Sequence, residues 1–119
     1  MKNQVLSIEQ MQELKELGID TSKASVYWIK TSTDGGMPYE ILSLDYTLEY
    51  NPNVFPTFTL QDIVNLLDKP HDLMVYYCST MVWAEKMDSE EHIHEEYIED
   101  SVLINAFNML KWCKQNNYI

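Results

Sequence analysis

Two histidines one residue apart, His92 and His94, lie in the acidic run Glu90-Glu91-His92-Ile93-His94-Glu95-Glu96, and no other two histidines of the chain stand so close together. On extended backbone both imidazoles project from one face, where with a carboxylate they could ligate a divalent cation such as zinc. The run supplies no third strong ligand, and His71 is the one remaining histidine. A solvated acidic loop explains the same letters, since paired histidines recur by chance. His92 and His94 are accordingly the metal-ligand candidates. Their protonation near neutral pH, favoured by the surrounding glutamates, is the other chemistry open to them.

Other chemistries find less support. No serine stands in a glycine-flanked nucleophile elbow, and Cys78 falls in a stretch predicted to be a buried strand, where thiols are usually inert. Asp34-Gly35-Gly36 is followed by neither a lysine nor a helix start, so it is expected to turn a hairpin rather than cradle a phosphate. No catalytic residue and no cofactor are expected, and the chain reads as a protein without catalysis.

The elements around these residues are marked by capping and periodicity. Ser7 and Gln10 form a capping box that starts a first helix at Ile8, with Met11, Leu14 and Leu17 on its apolar stripe and Gly18 stopping it in the left-handed conformation. Residues 24–30 are β-branched and aromatic, hence a strand, and residues 39–47 return as its partner. Pro52 and Pro56 make residues 50–57 a predicted loop, because proline lacks a ladder donor. A second capping box, Thr59 with Asp62, starts a central helix whose apolar face is Leu60, Ile63, Val64 and Leu67 and which Pro70 terminates. Residues 73–78 and 81–86 are predicted to form an antiparallel pair across Ser79-Thr80, or else one long bent strand. Residues 88–96 read as an acidic loop. A last helix from about Asp100 to near Asn116 carries Leu103, Ala106, Phe107 and Leu110 on one side. The order α-β-β-α-β-β-α implies a single α+β domain over residues 1–119, two layers deep, with an antiparallel sheet of about four strands and its helices on one face.

Charge narrows the partners. Nineteen acidic residues face eight basic ones, all lysine, for a net charge of −11. Without arginine's bidentate fork and with that charge, binding to nucleic-acid phosphates is not expected. An acidic surface also repels anionic membranes, and no apolar run approaches the roughly 20 residues of a membrane span. The first residues show no apolar signal region, so a cytoplasmic protein is expected, with Cys78 and Cys113 as buried free thiols. The partners left are proteins, a second copy of the chain included, cations, or nothing charged at all.

Two distributed features bear on such partners. Eight tyrosines and three tryptophans exceed what a small core can hide. Tyr27, Trp28, Tyr76, Tyr77 and Trp83 lie in predicted strands, where consecutive aromatics point to opposite faces of a sheet covered on one side. They either fill both faces or leave an aromatic surface for a homodimer or another partner. The second feature is acidity: Glu90, Glu91, Glu95, Glu96, Glu99 and Asp100 belong to a stretch of eight carboxylates from Glu85 to Asp100 with Lys86 alone against them. Such a surface could imitate a row of phosphates and occupy a basic cleft, or simply keep the protein dissolved.

Residues 6–20, the pair Tyr27-Trp28, the stretch from Phe58 to Leu67 and the closing Ala106-Phe107-Asn108-Met109-Leu110-Lys111-Trp112-Cys113 together resemble a family of small uncharacterised proteins from Bacteroides-type gut bacteria and their prophages or mobile elements. The resemblance implies no activity, cofactor or catalytic residue. With it, the chain reads as a non-catalytic accessory or protein-interaction module of a mobile element; the acidic run makes an inhibitor or DNA mimic the alternative, and His92 and His94 make a metal-binding protein the third reading.

Overall fold

The structure, a computed structural model, describes residues 4–30, 39–43, 54–70, 72–86, 95–99 and 101–119. The fold is α+β, with three helices and two small antiparallel sheets among the described residues in place of the one sheet expected. The chain divides into two compact units, residues 1–59 and 60–119.

The first unit opens with α1, Ile8–Glu16. Its start is the expected capping box: the Ser7 hydroxyl accepts from the Gln10 N–H at 3.1 Å, and the Gln10 side chain accepts from the Ser7 N–H at 2.8 Å. Its end is a Schellman turn on Gly18, whose φ of 89° suits glycine. There the Ile19 N–H donates to the Leu14 carbonyl and the Gly18 N–H to that of Lys15. The sheet comprises β1, Val26–Lys30; β2, Tyr39–Ser43; and β3, Val54–Thr57, in the order β2-β1-β3. The turn at residues 33–38 and the extension of β2 to Thr47 lie outside the described residues.

The third strand corrects residues 54–57 of the loop expected at 50–57, of which 50–53 lie outside the described residues. Pro56 faces Tyr27 in a regular antiparallel register. An edge strand tolerates proline because half of its amides have no ladder to join, and β3 is an edge. The residues on either side of the unit are drawn together by one carbonyl. Leu6 O accepts from the Trp28 indole N–H at 2.8 Å and from the Thr57 hydroxyl at 2.6 Å, while the Leu6 N–H donates to the Phe58 carbonyl at 3.0 Å. Val5, Val26 and Trp28 form a buried cluster with Ile8 and Phe55 packed against it.

The second unit contains α2, Leu60–Leu67; β4, Leu73–Tyr77; β5, Val82–Lys86; β6, Glu95–Tyr97; and α3, Val102–Gln115. Helix α2 begins immediately after Thr59 and ends before Pro70, with Ile63 and Leu67 buried. β4 and β5 form the hairpin, closed by a Cys78 N–H to Met81 carbonyl bond of 2.9 Å, so the single bent strand is excluded. β6 then pairs with β5, giving the order β4-β5-β6. Of residues 88–96, expected as an acidic loop, Glu95 and Glu96 belong to a strand, and 88–94 lie outside the described residues. Three residues with two glutamates carry too little β signal to register as a strand; pairing to β5 supplies what propensity does not.

Helix α3 is capped by Ser101, whose hydroxyl accepts from the Ile104 N–H at 3.2 Å, and it buries Leu103, Ala106, Phe107, Met109, Leu110 and Cys113. It too ends in a Schellman turn, with Asn117 at φ 63° in the glycine position and the Tyr118 N–H on the Cys113 carbonyl at 2.8 Å. The helix packs on α2, β5 and β6. The two units resemble each other in having a helix before a three-stranded sheet, but the central strand is the first in one and the middle in the other. A duplicated half would have kept the same order.

Candidate protein-interaction face

Strand alternation gives the second sheet two unlike faces. Leu73, Val82 and Ala84 are buried on the side where α3 packs. On the opposite side lie Met74 and Tyr76 of β4, Trp83 and Glu85 of β5, and Glu96 of β6. The register sets Met74 against Glu85, Tyr76 against Trp83, and Trp83 against Glu96. Met74 is 44% exposed and Tyr76 37%, with Ile98 just beyond β6 at 64%. The Tyr76 and Trp83 rings stack with centroids 5.3 Å apart and planes 17° from parallel. Such a cross-strand aromatic pair stabilises the hairpin and holds two rigid rings at the surface.

The buried side is where the titrating groups are held. The Tyr77 hydroxyl is buried with no hydrogen-bond partner among the described residues. Burial above all, then the negative charge of Asp68 and of the Cys113 thiolate, hold its proton well beyond the usual tyrosine range. The Tyr97 hydroxyl donates to Glu95 Oε2 at 3.2 Å, and burial, reinforced by Glu95 and Cys113, pushes it up to about 12. Burial pushes the Cys113 thiol up to about 12 as well. These are groups held neutral, a condition suited to a core rather than to proton transfer near neutrality.

The hairpin tip is tied to α3 by Asn105, a fully buried amide that sequence reasoning passed over. Its Oδ1 accepts from the Glu99 N–H at 2.6 Å and its Nδ2 donates to the Thr80 carbonyl at 3.5 Å. The signal was available in principle, because an asparagine on the apolar side of a helix must find partners for both ends of its amide. Beside the tip, Cys78 is exposed, not buried as expected, because β4 stops one residue before it. Its thiol lies 3.6 Å from the Thr80 hydroxyl, and hydrogen bonding to Thr80 lowers the thiol's pKa.

The other expected site residues fall in several places. Tyr27 and Trp28 are buried, at 8% and 7% exposure, so they do not form the aromatic surface expected of them. Trp28 is explained by its bond to Leu6 and by the first unit's cluster. Tyr77 is on the buried side of β4 for the same reason of alternation, which leaves Tyr76 and Trp83 as the surface pair. Glu95 is half-buried on Tyr97, while Glu96 and Glu99 are exposed. His92, His94, Glu90, Glu91 and Asp100 lie outside the described residues, as does His71. Among the described residues no three His, Cys, Asp or Glu side chains gather as a metal site. A shallow pocket of about 90 Å³ in the first unit, between α1 and β3, has Met11, Phe55 and Pro56 in its wall with Lys15 alongside. Sites for drug-sized ligands and cofactors are usually several-fold larger, at roughly 300–1,000 Å³. No helix among the described residues is long and apolar enough to cross a membrane.

No protein family matches the chain, nor does any curated protein or solved structure.

Proposed function

We propose that this chain is a non-catalytic protein-interaction module, acting in the cytoplasm as an accessory protein of a mobile element or prophage. The observation that carries the reading is the outer face of the β4-β5-β6 sheet, where Met74 and Tyr76 are exposed and the half-buried Trp83 stacks on Tyr76 while α3 occupies the other side. Aromatic side chains contribute contact area with little conformational entropy to lose, which is why they dominate binding hot spots. A homodimer through this face is the competing form of the interaction, and the carboxylates of Glu85 and Glu96 on that face count against it. The second reading, an acidic inhibitor that occupies a basic cleft, draws on the −11 net charge and on Glu85 and Glu96 sharing that face.

The test compares the wild-type chain with a Tyr76→Ser/Trp83→Ser variant and a Glu16→Ser control on α1, each immobilised and exposed to an extract of the host cell, with sizing of the free proteins alongside. The proposal expects a retained protein, or a dimer, that the double variant loses and the control keeps. Identical retention by all three chains would contradict it, as would no retained protein together with a strictly monomeric profile.

A further inference from the structure

Resting on the reading of this face as an interaction surface, we infer that its occupant is a lysine- or arginine-bearing polypeptide segment whose cations seat on the Tyr76–Trp83 stack between Glu85 and Glu96. Three observations converge on that chemistry. The rings stack at 5.3 Å and 17°, so each turns one face to the other ring and keeps the opposite, electron-rich face to attract a cation. Register puts Glu96 directly across from Trp83, and alternation puts Glu85 on the same face two residues along β5 from it. Finally, among the described residues, those charged at neutral pH that register and alternation place on this face are carboxylates, whereas Lys86 belongs to the opposite side of β5 at its end.

Charge also separates the candidate occupants. A second copy would bring another −11 and set Glu85 and Glu96 near their counterparts, which like-charge repulsion disfavours. An apolar segment would cover Met74 and Tyr76 but strip water from two carboxylates without replacing it. A basic segment does both, covering the apolar area with the stems of its side chains and pairing its charged ends with Glu85 and Glu96. Discrimination between lysine and arginine follows from shape: the planar guanidinium stacks on an aromatic face and forks onto a carboxylate, so arginine binds more tightly.

The experiment uses the full chain carrying a fluorophore on Cys78, beside the face, with hexa-arginine, hexa-lysine and a neutral Ser-Leu hexapeptide as probes. Affinity is expected in the order hexa-arginine, hexa-lysine, neutral, weakening as salt rises. Glu85→Gln/Glu96→Gln and Tyr76→Leu/Trp83→Leu should each weaken hexa-arginine by about tenfold. Glu9→Gln/Glu16→Gln, which removes the same charge from α1, should change it less than about twofold. The glutamine pair leaves the apolar packing untouched, so its result stands even if the leucine pair unfolds. Equal weakening by the α1 pair would overturn the inference by showing a diffuse field. Neutral-peptide binding as tight as hexa-arginine, lost in the leucine pair, would overturn it while sparing the interaction face. Peptide binding indifferent to every substitution on the face would overturn both.

Discussion

Removing one oxygen from Tyr77 should make this protein more stable. The hydroxyl lies on the α3 side of β4, opposite Val82, buried and without a hydrogen-bond partner among the described residues. In the unfolded chain it is hydrogen-bonded to water, so folding strips that bond and none of the described residues returns one. An unsatisfied buried polar group costs about 1–3 kcal/mol. Tyr77→Phe removes that cost and leaves a gap of one oxygen, whose cavity penalty is on the order of 0.3 kcal/mol. The net expectation is a gain of about 1 kcal/mol, at the low end because the side chain as a whole is half-buried rather than enclosed. Equilibrium urea unfolding followed by circular dichroism reads this directly, as a rise in the midpoint of about 0.7 M for an m-value near 1.5 kcal/mol/M. A loss of about 1 kcal/mol or more would refute the reasoning, because it would mean that the hydroxyl has a partner whose removal is felt.

Asn105→Ala should cost about 2–3 kcal/mol, since it removes the acceptor for the Glu99 N–H and the donor to Thr80 at once; the same urea experiment checks it, and an unchanged midpoint would show the amide to be dispensable. Alkaline pH should destabilise the fold. Cys113 and Tyr97 stand at about 12 against ordinary values of 9.0 and 10.0, so the unfolded chain releases its protons first. The stability they contribute is complete below about pH 9 and is lost as pH rises toward 12. Urea midpoints measured from pH 8 to 11 should fall, and in Cys113→Ala the fall should begin nearer pH 10; a flat profile would contradict the burial of both groups. Native protein should react with one equivalent of a thiol reagent at Cys78 and with a second, at Cys113, only on unfolding, because the first is exposed and the second buried. Two equivalents labelled at similar rates in the native state would show that α3 does not enclose Cys113.

What was legible in the sequence was local. Ser7 with Gln10, Gly18 before Ile19, and the apolar spacing of α3 are each signalled within a few residues, and each was placed to within a residue or two. The strands that were missed depend on distant partners. Pro56 forbids a central strand but says nothing against an edge, and Glu95-Glu96-Tyr97 becomes a strand only because β5 lies beside it. For want of those two strands, the hairpins were expected to join in one sheet when each takes its third strand from its own half of the chain. The aromatic face was half legible. Tyr76 and Trp83 could be named as strand aromatics, but their selection from five candidates required the register and required Leu6, twenty-two positions away, to claim the Trp28 indole. Asn105 was passed over because a single polar letter in an apolar stripe looks like an interruption until the two backbone groups it joins are in view.

The most direct test of the account is amide hydrogen exchange on the chain alone and bound to the protein it retains. The account predicts slowed exchange concentrated in β4 and β5, residues 73–77 and 82–86, with little change in α1 and β1. Slowing confined to the first unit, or none in the β4–β5 hairpin, would contradict the claim that the outer face of this sheet is where the molecule makes its contact.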